Sequence, residues 1–289
     1  MTERRLTILQ INDLHGCLEP HPEAFRGRGR FNYRTCGGLV RIATIFKRVR
    51  AERPGAVLAY PALAINIYEK DADRLVFDPS CVIERGGLRI GIVGIASNIV
   101  DKSMPPSYSE GVRFTLGNTE VPGHIERLRS SDKVDLVVVL SHLGFAQDAK
   151  LAAEVPGIDA LISGHTHSRL YRPSWVGSTP IIQSGCHGSS VGRLELTVDG
   201  GNVIDVRHEL ICVDEQVEPD AEMAQRVEEA LAPHCAFLDQ VVEQVHSPLD
   251  RATSLDAIAA AARRSRPMTQ GQPRATTRPR YSISISIDQ

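Results

Sequence analysis

The sequence predicts a layered α/β fold, and two observations support this prediction. Short apolar runs typical of buried strands alternate along the chain with segments whose apolar residues recur at helical spacing. The chain has 289 residues, 42% of them hydrophobic, so it is long enough to bury a substantial core. We therefore expect one α/β domain, over residues 1–215, in which helices cover the faces of the sheets.

The predicted elements follow one another in a regular order. Leu6–Ile11 is the first apolar run, and Gly37–Glu52 is the first segment with helical periodicity. Two later strands, in Val134–Gly144 and Asp159–His167, run directly into loops that contain histidine. The remaining expectations are apolar runs or strands at Ala56–Ala59, Ala62–Ile67, Leu75–Phe77, Cys81–Ile83, Leu88–Ile95, Pro180–Gln183, Gly192–Val198 and Val203–Val213, and helices at His124–Arg129 and Gln147–Val155.

The C-terminal part of the chain differs in composition. Residues 216–256 are expected to form a helical linker, in which the helical pattern of Asp220–Val245 is bent or broken at Pro233. Residues 257–289 form an arginine-rich tail with many Pro, Gln and Thr residues, a composition that cannot bury a core. We expect this tail to be disordered.

Charge and cysteine content exclude several classes of protein. The formal net charge is −2, so no overall basic field attracts nucleic acid or an anionic membrane. The six cysteines form no CxxC pair, which favours free thiols and a reducing compartment over a disulfide framework. The N-terminal residues lack the apolar segment of a signal peptide. These features predict a cytoplasmic protein.

Acidic and histidine side chains follow three of the predicted strands. Asp13 and His15 follow the first strand in NDLHG, His142 lies in LSHLG, and His165 and His167 lie in SGHTH. Ligands of open α/β sheets collect at the carboxyl ends of strands, so we expect these five side chains to lie together. A histidine at a strand end is, taken singly, more often a hydrogen-bonding loop residue. Imidazole and carboxylate in one cluster suit zinc, manganese or iron.

These motifs resemble those of the calcineurin-like metallophosphoesterases, and within them the branch that contains bacterial 5'-nucleotidases. The resemblance covers most of residues 5–215. The matching stretches are NDLHG (Asn12–Gly16), GGLVRIAT (Gly37–Thr44), LSHLG (Leu140–Gly144), GHTH (Gly164–His167) and IIQSGCHGSSVGRLEL (Ile181–Leu196). It implies a four-layer αββα sandwich with two metal ions and a small phosphoester, such as a nucleotide, as substrate.

The resemblance also implies a role for each of the five side chains. Asp13, His15 and His167 correspond to ligands of the first metal, and His142 and His165 to ligands of the second. Two such ions hydrolyse a phosphoester without a protein nucleophile, so no serine or cysteine is assigned a catalytic role. Cys186 and His187 lie in a loop that could approach the site, and packing is the favoured interpretation of both, with His187 left open. We expect His21, His124, His208, His234 and His246 to lie outside the cluster.

Two motifs of the resembled family are missing between the first helix and LSHLG. One is a Gly-Asp whose carboxylate bridges the two metals, and the other is an Asn-His-Glu whose asparagine binds the second metal and whose histidine assists the transition state. Arg53–Tyr60 starts like the strand that should end in Gly-Asp but continues directly into a later strand of the family. The sequence therefore predicts an incomplete sandwich, with an internal deletion near residues 59–60 and a missing C-terminal substrate domain.

Three functions remain open at the level of the sequence. The first is a phosphoester hydrolase of the 5'-nucleotidase type with impaired activity, holding about one ion in place of two. The second is a metal-binding remnant without catalysis, because three ligands can hold one ion. The third is a thiosulfohydrolase-like enzyme, because EVPGIDALISGHTH also resembles that related branch. A fourth, less favoured interpretation is an α/β domain whose histidines only pack.

Overall fold

The computed structural model describes residues 3–26, 31–57 and 62–239. Its strands are β1 (Arg4–Gln10), β2 (Pro20–Arg26), β3 (Phe31–Gly37), β4 (Ile67–Glu69), β5 (Ser80–Arg85), β6 (Leu88–Ile95), β7 (Val112–Phe114), β8 (Leu136–Ser141), β9 (Ala160–Ser163), β10 (Ser174–Val176), β11 (Thr179–Ile182), β12 (Ser190–Asp199) and β13 (Asn202–Cys212). Its helices are α1 (Leu39–Glu52), α2 (Val100–Ser103), α3 (Val121–Ser130), α4 (Phe145–Glu154), α5 (Ala221–Leu231) and α6 (Cys235–Leu238).

The larger sheet has six strands in the order β10-β11-β9-β8-β6-β5. The four central strands are parallel, and β10 and β5 pair antiparallel at the two edges. Side chains of β8 alternate between the faces, with Leu136 and Val138 on one side and Val137 and Val139 on the other, and all four are buried. Both faces of this sheet are therefore covered, as expected for parallel strands.

The smaller sheet is antiparallel, with the order β1-β12-β13. Leu194, Leu196 and Val198 of β12 are fully buried, whereas Arg193 and Glu195 point to the opposite face. The turn between β12 and β13 is Gly200-Gly201. Both residues have positive φ, which a two-residue type I′ hairpin turn requires. The strands expected at Gly192–Val198 and Val203–Val213 are thus confirmed as the two arms of this hairpin.

The two sheets and the helices form four layers. One apolar cluster joins Leu88, Ile90 and Leu136 of the larger sheet to Leu194 and Leu196 of the smaller one. A second cluster packs Ile125 and Leu128 of α3 and Leu151 of α4 on the other face of the larger sheet.

The first helix completes the sandwich on the outer face of the smaller sheet. Glu52, at the end of α1, pairs with Arg193 at 2.9 Å, and Arg193 lies on the face opposite Leu194. The layers thus run α1, smaller sheet, larger sheet, then α3 and α4, which confirms the predicted αββα sandwich.

Several elements differ from the sequence-based expectation. The polar hairpin of β2 and β3 and the short pair β4 and β7 were not predicted, because their residues show no apolar alternation. Leu75–Phe77 is not a strand, since its pairing is an isolated bridge from Leu75 to Tyr68. Gly86-Gly87, both at positive φ, joins β5 and β6 into a hairpin that contains the expected strands Cys81–Ile83 and Leu88–Ile95.

The described chain divides into two units. Residues up to Ala224 belong to the first, and those from Gln225 onward to the second. The helical pattern from Asp220 is interrupted at Pro233, as expected, by a 3₁₀ turn between α5 and α6.

The predicted deletion point and the arginine-rich tail lie outside the described residues. None of the described helices has the length and apolar character needed to cross a membrane.

Candidate metal centre

The carboxyl ends of β1, β8 and β9 meet at one edge of the sandwich. Ser141 and Ser163 are paired neighbours in β8 and β9, so the loops that start at His142 and Gly164 leave the sheet side by side. The smaller sheet is joined to them by two amides. Gln10 Nε2 and Asn12 Nδ2 each donate a hydrogen bond of 2.9 Å to the carbonyl oxygen of Ser163.

Asp13 lies at the centre of this cluster. Its Oδ1 atom is 3.3 Å from Nε2 of His142, 3.7 Å from Nε2 of His167 and 3.8 Å from Nε2 of His15. Nε2 of His15 and Nε2 of His167 are 3.1 Å apart. Asp13, His15 and His167 can each offer one ligand atom within 4.8 Å of the others, which is the spacing expected around one ion.

His165 is the fifth member of the cluster. The centre of its ring is 5.2 Å from the centre of the His142 ring. Its backbone N–H donates a hydrogen bond of 3.1 Å to Oδ2 of Asp13, so both carboxylate oxygens of Asp13 face the cluster. The structure therefore brings together all five of the side chains that the sequence singled out.

The backbone at this edge is held in an unusual conformation. Six described residues other than glycine have positive φ, and five of them are Asp13, His15, His165, His167 and His187, with φ between 45° and 72°. Such angles cost free energy for residues with a Cβ atom, and they collect where a site needs side chains in fixed directions. His187 shares this feature with four of the predicted ligands.

Buried amides fix the two histidine loops. Gln183 is fully buried, and its Nε2 donates to the carbonyl oxygen of Gly164 at 2.5 Å while its Oε1 accepts from Thr166 and from the backbone of Ser168 at 3.0 Å. Oδ1 of Asn12 accepts from the backbone and hydroxyl of Ser184. These bonds satisfy the side-chain amides of Gln183 and Asn12 and hold the two loops in place.

A buried carboxylate lies behind the same loops. Ser163 donates a hydrogen bond of 2.6 Å to Asp148 of α4. Burial raises the pKa of Asp148 to about 6, and the hydrogen bonds from Ser141 and Ser163 only partly oppose this shift. Asp148 therefore connects α4 to the residues that precede His142 and Gly164.

The ionisation of the ring nitrogens favours metal binding. Burial lowers the pKa of His142, and the carboxylate of Asp13 only partly offsets that effect. Burial also lowers the pKa of His187. A neutral imidazole offers a lone pair, so these rings are in the state that ligates a metal near neutral pH.

Two residues near the centre were not predicted from the sequence. His21, which was expected to lie outside the cluster, has its ring 5.5 Å from the ring of His187, and His187 is 5.5 Å from His15. His21 Nε2 is 3.1 Å from Oε2 of Glu23. Only the unpredicted hairpin of β2 and β3 brings His21 and Glu23 here. The sequence signal that could have indicated them is their spacing, since His21 and Glu23 are two positions apart, as Asp13 and His15 are in NDLHG.

The other histidines lie elsewhere or are not described. His124 is in α3 and His208 is in β13, neither of which ends at the metal centre. His234 lies in the second unit, and His246 lies outside the described residues.

The donor set fits a divalent ion. One carboxylate and four imidazoles meet at a partly exposed edge, where the side chains of His15 and His167 are 47% and 40% exposed. Carboxylate oxygen and imidazole nitrogen are the ligands of catalytic zinc, manganese and iron sites. The exposure leaves room for a small substrate to reach the ligands.

Comparison with known proteins gives related sequences. No family model matches the chain. Protein UshA of Yersinia enterocolitica is 24% identical over 184 residues, which cover 54% of this chain and 34% of that protein. A 5'-nucleotidase of Vibrio cholerae is 25% identical over 199 residues, covering 58% of this chain and 36% of that protein. The matches thus span about a third of the length of these two relatives.

Solved structures share the fold. A sulfate thiohydrolase, SoxB, of Thermus thermophilus superposes with a TM-score of 0.71 at 20% identity, over 80% of this chain and 61% of that one. A 5'-nucleotidase precursor of Thermus thermophilus gives a TM-score of 0.70 at 21% identity, over 83% of this chain and 61% of that one.

The comparisons agree with the geometry of the five clustered side chains. In fold, the chain is similar to calcineurin-like phosphoesterases. In sequence, it is similar to proteins named 5'-nucleotidase, such as that of Vibrio cholerae. Calcineurin-like phosphoesterases use divalent metals, so the centre around Asp13 is a candidate site for them.

Proposed function

We propose that this chain provides the metal centre of a phosphoester hydrolase of the 5'-nucleotidase type, with a small phosphoester such as a nucleotide as substrate. The observation that supports this most directly is the position of Asp13 Oδ1, within 3.8 Å of ring nitrogens from three separate loops. Neither a packing role nor a lone hydrogen bond requires three histidines to converge on one carboxylate.

The two parts of the cluster have different strengths as metal sites. Asp13, His15 and His167 form a compact set of three ligands that suits one tightly held ion of zinc, manganese or iron. His142 and His165 contribute two more nitrogens beside it. Divalent ions bound here would supply Lewis acidity toward a phosphoryl oxygen. The carboxylate of Asp13 would offset part of the positive charge of an ion held here.

We infer that turnover by the chain as written is low. The sequence lacks the bridging aspartate, the asparagine ligand and the histidine that the family resemblance would supply between α1 and β8. A bridging carboxylate offsets the repulsion between two dications, so without it the second ion is held by His142 and His165 alone. About one tightly bound ion per chain is therefore expected at this centre.

The other two functions have less support. The SoxB structure resembles this chain as closely in fold as the 5'-nucleotidase precursor does, with TM-scores of 0.71 and 0.70, so the fold does not distinguish their reactions. Related sequences that carry the name 5'-nucleotidase favour phosphoester hydrolysis. A metal-binding remnant is the limiting case in which turnover has fallen to zero.

Metal content and hydrolysis measured on the same preparations test the proposal. Protein purified without chelator should retain zinc, manganese or iron, and an aryl phosphate with added Mn²⁺ should be hydrolysed slowly. Asp13→Asn should lose the bound ion, and His165→Ala should lose the hydrolysis. The control is His124→Gln on α3, which should change neither. Metal content that is the same in the wild type and in Asp13→Asn would contradict the proposal.

A further inference from the structure

A second group of ligand-type side chains lies beside the centre around Asp13. His21, Glu23 and His187, here called the hairpin cluster, each offer one ligand atom within 4.8 Å of the others. All three are partly buried. None of them belongs to the set of five side chains described above, and the proposed hydrolysis does not use them.

Contacts with Arg169, Ser189 and His21 orient the carboxylate of Glu23. Arg169 pairs with Oε1 of Glu23, and its guanidinium lies over the ring of Phe25, 4.5 Å from the centre of that ring. Ser189 donates a hydrogen bond of 2.6 Å to Oε2, the same oxygen that lies 3.1 Å from Nε2 of His21. Carboxylates that bind metals are commonly fixed by such outer hydrogen bonds, which hold the ligand oxygen in place.

The position of His187 is fixed by its backbone and by a contact with Cys186. Its backbone has a φ of 57° and its N–H donates a hydrogen bond of 2.9 Å to the carbonyl oxygen of Asp13. Its Nδ1 lies 3.5 Å from Sγ of Cys186, which leaves Nε2 as the nitrogen free to bind a ligand. A strained backbone fixed by a hydrogen bond is typical of a side chain that is positioned for binding.

We propose that His21, Glu23 and His187 form a second divalent-cation site, separate from the centre around Asp13, that binds Zn²⁺. Two imidazoles and one carboxylate with a fourth position open to water are a ligand set that zinc adopts in proteins. The ion joins the hairpin of β2 and β3 to the loop after β11. Because Arg169 places a positive charge beside Glu23, this site binds Zn²⁺ more weakly than the centre around Asp13.

Calorimetric titration of the full chain with Zn²⁺, after removal of metal by chelator and dialysis, tests this site. The wild type should show a tight and a weaker class of binding. His21→Gln and Glu23→Gln should each weaken the second class by at least about tenfold and leave the first within about threefold. Asp13→Asn should remove the tight class and retain the weaker one. His124→Gln serves as the control and should show both classes.

The result that would overturn the site is wild-type zinc binding in both His21→Gln and Glu23→Gln, with circular dichroism showing both to be folded. If either variant fails to fold, zinc anomalous scattering from crystals of the wild type decides. A peak bonded to His21, Glu23 and His187 supports the site, and its absence at saturating zinc refutes it. Failure of the hydrolysis proposal would appear instead in Asp13→Asn, so the two failures are distinguishable.

Discussion

Asp148 affects the stability of the chain in a way that depends on pH. Its side chain is fully buried behind the candidate metal centre, and burial raises its pKa to about 6 from an ordinary value near 3.8. An acid with a higher pKa in the folded chain stabilises the fold when protonated. That contribution is full below about pH 4 and is lost as the pH rises through about 6.

We therefore predict that Asp148→Asn removes this dependence on pH. In chelator-treated protein, the wild type should gain about 1 to 1.5 kcal/mol relative to Asp148→Asn when the pH is lowered from 8 to 5. Urea unfolding at both pH values measures the difference, and contributions from the histidines cancel because both proteins carry them. Asp71→Asn, at an exposed position, is the control. An unchanged difference between the two pH values would show that Asp148 is ionised in the fold.

Gly164 allows His142 to approach Asp13. A Cβ atom at Gly164 would lie 2.8 Å from Nδ1 of His142 and 3.3 Å from Nδ2 of Asn12. Both atoms belong to side chains held by the centre, so the ring of His142 would have to move.

Because Nε2 of His142 lies 3.3 Å from Oδ1 of Asp13, a displaced ring should disturb that ligand. Gly164→Ala should accordingly weaken metal binding by about 10- to 100-fold, as changes next to metal ligands commonly do. Zinc retained after dialysis measures the loss. Gly123→Ala on α3 is the matched control, because a Cβ atom there meets no other atom within 4 Å and alanine favours the helix. Equal zinc retention in the two variants would mean that a displacement of His142 does not reach Asp13.

The sequence predicted Asp13 and the four histidines around it because each follows an apolar strand in a short motif. It did not predict the contacts of His21, which depend on a hairpin whose polar residues show no periodicity. The strained φ angle of His187 is likewise a property of the folded loop that a single residue type does not reveal. Residues at the ends of buried strands can thus be identified from the pattern, whereas residues on polar hairpins cannot.

At the scale of elements, the close packing of α3 on β6 depends on glycine. A Cβ atom at Gly91 would lie 2.9 Å from Cδ1 of Leu128, which is fully buried in α3. Gly91→Ala should therefore destabilise the fold by about 1 to 3 kcal/mol through overpacking. Leu128→Ala alone should destabilise it by about 2 to 5 kcal/mol because it leaves a cavity.

The double variant, which combines Gly91→Ala with Leu128→Ala, separates these causes. If the methyl group introduced on β6 fills part of the space left by the leucine side chain, the loss in the double variant is smaller than the sum of the two single losses by at least about 0.5 kcal/mol. Denaturant unfolding of the four proteins measures this coupling. Additive losses would show that α3 moves away from β6 instead of staying packed on it.

Elements were predictable where apolar periodicity was strong. α1, β8 and β9 appear where the sequence placed them, because buried residues recur there at helical or strand spacing. β4 and β7 are three residues each and only partly buried, too short for a periodic signal. Leu75–Phe77 shows the opposite error, since its apolar residues suggested a strand but Val76 and Phe77 are each 41% exposed.

At the scale of the whole molecule, the residues that build the fold are not the same as those that hydrolysis requires. The chain superposes on a 5'-nucleotidase precursor over 83% of its length, although it spans about a third of its curated relatives. A sandwich of this kind needs its apolar layers, and these are present. Hydrolysis needs in addition the groups that hold a second metal and stabilise the transition state, and the sequence lacks the motifs that supply them in the resembled family.

The last prediction therefore concerns restoration of the missing segment. Loss of one group that stabilises the transition state typically lowers the rate about 10² to 10³-fold, and three groups are missing, although such losses are not additive. We expect negligible 5'-nucleotidase activity from the chain as written. Inserting the segment with Gly-Asp and Asn-His-Glu from an intact relative at residues 59–60 should recover metal-dependent hydrolysis of phosphoesters.

Release of phosphate from a nucleotide, measured with added Mn²⁺, tests the restored chain. The control is the same insertion with its aspartate changed to asparagine, which keeps the length and fold of the segment but removes the bridging carboxylate. If His142 and His165 hold the second ion, His165→Ala in the restored chain should abolish the recovered activity. Robust hydrolysis by the original chain that is likewise abolished by His165→Ala would mean that Asp13 and the four histidines suffice for catalysis without a bridging acid.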